Sequence, residues 1–296
     1  MDTNLQAYSY ALLANLIFAF SVQIFTHYSR TVSAVWMNYV KALIALLLFL
    51  AAVLIMDWRF SFGSNVLLLL FFSGLLGLGI GDLALLTALR DLGPGRAMML
   101  VAFHPIITGI MSYFFFDQHL SLNKMLAILF MILCILVFSL ESIKKEGHWG
   151  GKGIVLVLIA IALDALGVMM LKEAKDLSGI NSYEASFYRC LGAVSFFVIW
   201  GFFKPIGVWE GFKKQSFKST VLILAGSFLG TFIALALIFE AYTRSKSLAA
   251  IASINISCSI FAALFECIHQ KKAPGRYLII SFLFMIAGVG IFIFIE

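Results

Sequence analysis

Charge is the scarcest ingredient of this 296-residue chain: Lys, Arg, Asp and Glu make up only 12% of it, against 62% hydrophobic residues. A soluble domain carries roughly 25% charged and about 45–50% apolar residues, so too little charge is present to clothe a water-facing surface. That shortage excludes a soluble globular domain, a disordered chain and a secreted disulfide scaffold. Cysteine is scarce too. Cys134, Cys190, Cys258 and Cys267 stand singly in or beside apolar runs, at neither metal-ligand nor redox spacing, and read as small packing residues. H-E-x-x-H, P-loop and G-x-S-x-G signatures are missing, as are acidic pairs of the D-D-x-x-D type, and His27, His104, His119, His148 and His269 do not cluster. The expectation is therefore no enzyme, no cofactor, no metal and no ATP; any pumping draws on a gradient or on exchange. The net charge of +6 suits loops facing anionic lipid and is no sign of nucleic-acid binding.

Long apolar sequence is what the chain has in abundance, with thirty Phe spread along it. Ten runs stand near the ~20 residues a membrane span needs. They are Tyr8–His27, Ser33–Met56, Val66–Leu89, Ala97–Phe116 and Asn123–Leu140, then Gly153–Leu171, Ser182–Phe203, Thr220–Tyr242, Leu248–Ile268 and Tyr277–Ile295. Each is apolar all round and lacks two-residue alternation, so the expected fold class is an all-α polytopic membrane protein with ten transmembrane helices. The first run lacks a basic n-region and a small-residue cleavage pattern and reads as a retained span. Trp36, Trp58, Trp149, Trp200 and Trp209 fall near run ends or in connectors, where interfacial anchors belong.

Five runs lie on each side of the polar connector Glu141–Lys152, which suggests a duplication: residues 1–140 and 153–296 as two five-helix repeats joined by 141–152. Leu129-Phe130-Met131-Ile132 recurs as Leu283-Phe284-Met285-Ile286. Asn15 matches Asp164, Tyr39 matches Tyr188, Gly77 matches Gly230 and Asp117 matches Glu266, all at separations of 149 to 154 residues. An odd number of spans per repeat turns the second half upside down, the plan on which secondary transporters bind substrate near the midplane between halves. Small residues at every fourth position, Ser73-Gly77-Gly81 and Gly226-Gly230, predict closely packed central helices.

A charge at the bilayer centre costs about 2.5–3.5 kcal/mol on insertion scales, so each needs a partner, water or a substrate. Lys41, Asp82, Asp164, Arg189 and, nearer a span end, Glu240 are in that position. Asn38 lies one helical turn from Lys41, and Asn15 and Asp164 lie deep in the first span of their halves. Packed face to face, these spans would gather Asn15, Asn38, Lys41, Asp164 and Arg189 around one polar cavity. Arg189 would suit a carboxylate or phosphate through its planar fork, and Asp164 an amine or a coupling proton. Asp82 and Glu240 are candidates for coupling or for charge pairing. Internal salt bridges, Asp164–Arg189 or Asp82–Lys41, would equally account for these charges. His104-Pro105 falls mid-span, where proline bares a carbonyl one turn earlier and is tolerated only against protein or a water-filled cavity. His104 is thus a substrate or proton contact, or simply bonded to a neighbouring helix. Asn255, among Ser253, Ser257 and Ser259, either lines the path or sits in a run whose serines bond the backbone.

Two stretches carry a family resemblance. One is Ala88-Leu89-Arg90-Asp91-Leu92-Gly93-Pro94-Gly95-Arg96-Ala97, followed by Pro105 and Asp117; the other is Glu240-Ala241-Tyr242 with Ser247-Leu248-Ala249 and Glu266. Together they resemble the repeated track through the third and fourth spans of EamA-type members of the drug/metabolite transporter superfamily. Asp117 stands where that family usually has Glu, and the ninth run has no proline to match Pro105. The resemblance covers nearly the whole chain. It implies transport of a small metabolite by alternating access through a central cavity, in the cell (inner or plasma) membrane. A small-molecule substrate and membrane lipid are the implied partners, for a monomer or an oligomer. A lipid or lipid-linked carrier translocator on the same scaffold is the alternative, to be favoured by a laterally open, Phe-lined groove; an intramembrane transferase would need acidic metal ligands. Orientation is pulled two ways. With a cytoplasmic N-terminus six basic loop residues would face inward and thirteen outward, so the positive-inside rule favours both termini outside, whereas the resemblance implies both inside.

Overall fold

The computed structural model describes residues 3–28, 32–56, 62–92, 94–143, 151–269 and 271–294. Trp58, Trp149 and the loop charges Arg30, Arg59, Lys144 and Lys145 lie outside the described residues, as does residue 93 of the first family-like stretch. Regular structure among the described residues is helical throughout. The first half holds α1 (Thr3–Tyr28), α2 (Ala34–Ile55), α3 (Ser64–Ser73), a π-helical segment (Gly74–Gly81), α4 (Asp82–Leu92), α5 (Pro94–Val101), α6 (His104–Phe116) and α7 (Leu122–Ile143). The second holds α8 (Gly151–Ser178), α9 (Ser182–Phe203), the short α10 (Val208–Lys213), α11 (Phe217–Ser227), a second π-helical segment (Phe228–Ile233), α12 (Ala234–Arg244), α13 (Leu248–Ile254), α14 (Ser257–His269) and α15 (Arg276–Phe294).

Nine helical stretches among the described residues are long and apolar enough to cross a membrane. The expected run Ala97–Phe116 is the exception, because it is broken between Val101 and His104. Pro105 offers no backbone N–H and its ring crowds the preceding turn. The chain answers with a tighter turn, in which Phe103 N–H donates to Leu100 O at 3.1 Å. The ninth run is broken as well, between α13 and α14, although it has no proline; Cys258 N–H donates three residues back to Asn255 O at 3.2 Å. Span starts are fixed by polar caps. Asn181 is the fullest: its Oδ1 accepts from Tyr183 N and Glu184 N, while its Nδ2 donates to Glu184 Oε2.

Packing pairs one half with the other. Helix α1 runs along α11, the second π segment, α12 and α14, while α8 runs along α3, the first π segment, α4 and α6. Between them α2 packs on α9, α6 on α13, and α7 on α15. Small residues allow the central approach. A Cβ on Gly74 would fall onto the backbone carbonyl of Arg189, and one on Gly192 onto that of Phe71. Ser73 Oγ donates to Gly167 O at 2.7 Å, so the small-residue face of the third span meets α8 as well as α9. Trp36 departs from its expected place. It is 2% exposed, donates its indole N–H to Val208 O at 3.0 Å and meets the Phe212 ring edge-on, so it buries under α10 rather than anchoring in an interface. Trp209, 70% exposed on α10, is placed as an anchor would be.

Candidate functional site

The close approach of the first π segment to α8 and α9 sets the geometry of the polar centre. Gly77 has no side chain, and the point where its Cβ would lie is 3.6 Å from Asp164 Oδ1 and 3.9 Å from Arg189 Nη2. One anionic and one cationic group from the second half therefore face a single bare patch of the first. Asp164 has a second neighbour, His104, the first residue of α6 after the break: His104 Nε2 lies 3.2 Å from Asp164 Oδ2. The approach lacks hydrogen-bond alignment. The Asp164 side chain is 43% exposed although it lies mid-span, whereas that of His104 is 10% exposed. Of the described side chains, it is thus the His104 imidazole that stands within ion-pair distance of Asp164, not Arg189, the partner that an internal salt bridge would have used.

Arg189 is 3% exposed, and its Nε has no hydrogen-bond partner among the described residues. It lies within coulombic reach of Asp164, Asp82 and the Tyr242 hydroxyl. On α2, Lys41 donates to Asn38 Oδ1 at 3.1 Å and holds its ammonium 5.2 Å from the centre of the Phe25 ring. Asn38 is 3% exposed, with an Nδ2 that has no partner among the described residues. Asp82, at the start of α4, feels Lys41, Asp164 and Arg189 together. Two cations and two carboxylates thus share a low-dielectric centre, where a charge without a counter-charge would be expensive.

A second string of polar groups joins from the other side. Asn15 Nδ2 donates to Asn255 Oδ1 at 2.9 Å, and Asn255 Nδ2 donates to the Tyr242 hydroxyl at 2.9 Å. Asn255 occupies the break in the ninth span, as His104 follows the break in the fourth. Tyr242 is 4% exposed and electrostatically coupled to Asp164 and Arg189. It links the two groups; in the sequence its signal is its place in Glu240-Ala241-Tyr242.

Glu240 is not part of this centre. Its Oε2 takes the Arg244 Nε–H at 2.6 Å, and Arg244 turns to Gln6 and the Tyr10 ring near the start of α1. Of the residues singled out from sequence, Asp164, Arg189, His104, Lys41, Asn38 and Asp82 surround the Gly77 patch or couple to the groups that do. Asn15 and Asn255 adjoin them through Tyr242, and Glu240 stands at the rim. No three His, Cys, Asp or Glu side chains among the described residues are placed to hold a metal ion.

Apart from this centre lies an apolar groove of about 800 Å³ between α6 and α7, lined by Pro105, Ile110, Phe114, Met125 and Leu129 among others. Its lining is mainly aliphatic, with Phe114 the one phenylalanine.

The sequence pattern of the EamA-like transporter family matches residues 5–140 and, a second time, residues 151–294. A crystal structure is similar over 96% of this chain and 95% of its own, with a TM-score of 0.77 at 14% identity, a likeness of fold. No curated protein matches this chain.

Proposed function

The chain belongs to the EamA-like transporter family, multi-pass membrane proteins that transport and are not enzymes; from that premise we propose a secondary transporter that moves a small zwitterionic metabolite across the cell membrane by alternating access. The observation that carries this reading is the pair of opposite charges facing Gly77, with an Arg189 Nε that has no hydrogen-bond partner among the described residues. A substrate carboxylate would lie on Arg189, with Lys41 behind it, because the guanidinium fork donates to both oxygens. A substrate ammonium would lie on Asp164 Oδ1. Lys41 and Arg189 already balance Asp82 and Asp164, so a cargo of no net charge enters without leaving an unbalanced charge in the low-dielectric centre. Asn15, Asn38, Asn255 and Tyr242 would supply orienting hydrogen bonds.

The alternating-access part rests on the pairing of the halves. The contacts of α1 with the third span of the second half match those of α8 with the third span of the first, which supports a pair of repeats. Interrupted spans at matching positions, one carrying His104 and the other Asn255, are the form in which such folds present polar groups at the midplane. Rocking of one half against the other would open the Gly77 patch to each side in turn.

Counterflow in proteoliposomes tests the reading. Glycine, glycinamide, which has no carboxylate, and N-acetylglycine, which has no ammonium, would be compared. The expected result is exchange of glycine or a larger zwitterion, with the two blocked forms at least about tenfold poorer, since each leaves one buried charge unpaired. Equal exchange of all three would refute it. The groove beside Pro105 supports a second reading, a translocator of lipid-like cargo. Exchange of a fluorescent phospholipid between leaflets, with no zwitterion exchange, would establish that reading instead.

A further inference from the structure

We propose that His104 and Asp164 together form a binding site for one coupling proton, a proposal that rests on the transport reading above and adds to it the ion that drives the cycle. His104 belongs to the first half and Asp164 to the second, and their nitrogen and oxygen stand 3.2 Å apart. Both atoms are acceptors when the imidazole carries its proton on Nδ1 or none is shared, and two acceptors at that separation in a low-dielectric centre repel. A neutral imidazole with its one N–H on Nε2 already donates towards the carboxylate; a second proton makes the imidazolium and turns that contact into an ion pair between the halves, a stronger attraction.

Position supports the assignment. The Asp164 side chain is 43% exposed and that of His104 10%, so the carboxylate is the more accessible of the two, and in this proposal the proton reaches the buried imidazole past it. His104 is the first residue of α6, after the break, where the ring shifts without disrupting a continuous helical ladder. The elements packed on α6 are α8, which presents Asp164, and α13, which carries no titratable side chain. Beyond Asp164 the facing groups are Arg189, Asp82, Lys41 and Tyr242. With the four fixed charges already balanced, one proton on His104 gives the centre a net charge of one, and losing it restores neutrality. The proton-loaded form holds α6 against α8 more tightly than the unloaded form does.

Two measurements test the site. In the first, ¹⁵N-histidine spectra of the protein in lipid nanodiscs are followed across about pH 5 to 8, where histidine ordinarily titrates. His104 is identified by the resonance lost in His104→Gln. The expected result is a two-state titration whose midpoint moves by about one pH unit or more in Asp164→Asn, a tenfold change in proton affinity. A His104 that does not titrate, or that ignores Asp164→Asn, overturns the proposal. In the second, proteoliposomes enclosing a pH dye are given whichever of the three glycine probes exchanges. Wild type is expected to move protons in step with the probe. In His104→Gln a one-unit pH gradient is expected to lose its roughly tenfold effect on accumulation, read as the ratio of accumulation with and without the gradient in that same variant. An undiminished gradient effect in His104→Gln overturns the proposal. If no probe exchanges, the transport reading fails by itself and the titration alone decides the proton site.

Discussion

The centre and the rim of this protein use the same side chains in opposite ways. At the rim, near the ends of α8 and α12, Lys172 pairs with Asp176 at 2.9 Å and Arg244 with Glu240 at 2.6 Å, each one helical turn apart. Around them Lys172 also reaches Thr243 O, Lys246 N–H donates to Asn4 Oδ1, and Leu248 N–H donates to Gln118 Oε1. These bonds hold the start of α1 and the α6–α7 connection of the first half to the α12–α13 connection of the second. Their charges find partners locally, near water, where an ion pair contributes about 0–1 kcal/mol. At the centre, Arg189 and Asp164 face a common patch without closing on each other, and Asn38 keeps an unused donor. Charge that is expensive to place and is left incompletely paired marks the site proposed for cargo; charge that is satisfied within its own helix marks a seam.

Six substitutions break or sharpen this contrast. The largest effect is expected from Asp164→Asn combined with Arg189→Gln. Each alone should reduce zwitterion counterflow about 10- to 100-fold, the worth of a hydrogen bond to a charge. The double variant should lose about the product of the two, because Arg189 and Asp164 hold different groups of one substrate; a double variant no worse than the poorer single would show that they do not. Next is Gly74→Ala, which pushes a methyl group onto the Arg189 carbonyl and should destabilise by about 1–3 kcal/mol, read as a lower melting temperature. Gly77→Ala sits at ordinary contact distance from Asp164 and should melt near wild type while slowing exchange. Tyr242→Phe removes the hydroxyl that accepts from Asn255; about 1 kcal/mol of binding, or a roughly fivefold rise in half-saturation, is expected with little change in melting. Smallest is Glu240→Gln, which opens a rim pair with Arg244 and should alter exchange less than about twofold, with an effect that fades in high salt.

Much of this contrast was legible in the sequence, for physical reasons that also explain where legibility ends. Apolar runs of span length announce helices, and Asp164 and Arg189 stand out because so few charges occur within those runs. Pro105 announces a break in the fourth span by chemistry alone. The ninth span breaks with no proline, at Asn255, because the interruption there is made by neighbours rather than by a missing N–H, and no local signal encodes it. Trp36 looked interfacial from its distance along the chain, but α10 folds over it, a tertiary choice. Glu240 was grouped with the buried charges since depth is read from run boundaries, and Arg244 one turn on makes the end of α12 a rim. A pair with Arg189 was one alternative for Asp164; the break before His104 brings the imidazole within 3.2 Å of it instead.

The most direct test sets one arginine of the centre against one of the rim. Counterflow of the transported zwitterion is measured for Arg189→Ala and Arg244→Ala in proteoliposomes at equal protein content and matched thermal stability. The account predicts that Arg189→Ala falls by at least about tenfold while Arg244→Ala stays within about twofold of wild type. Full activity in Arg189→Ala, or equal loss in both, would contradict it.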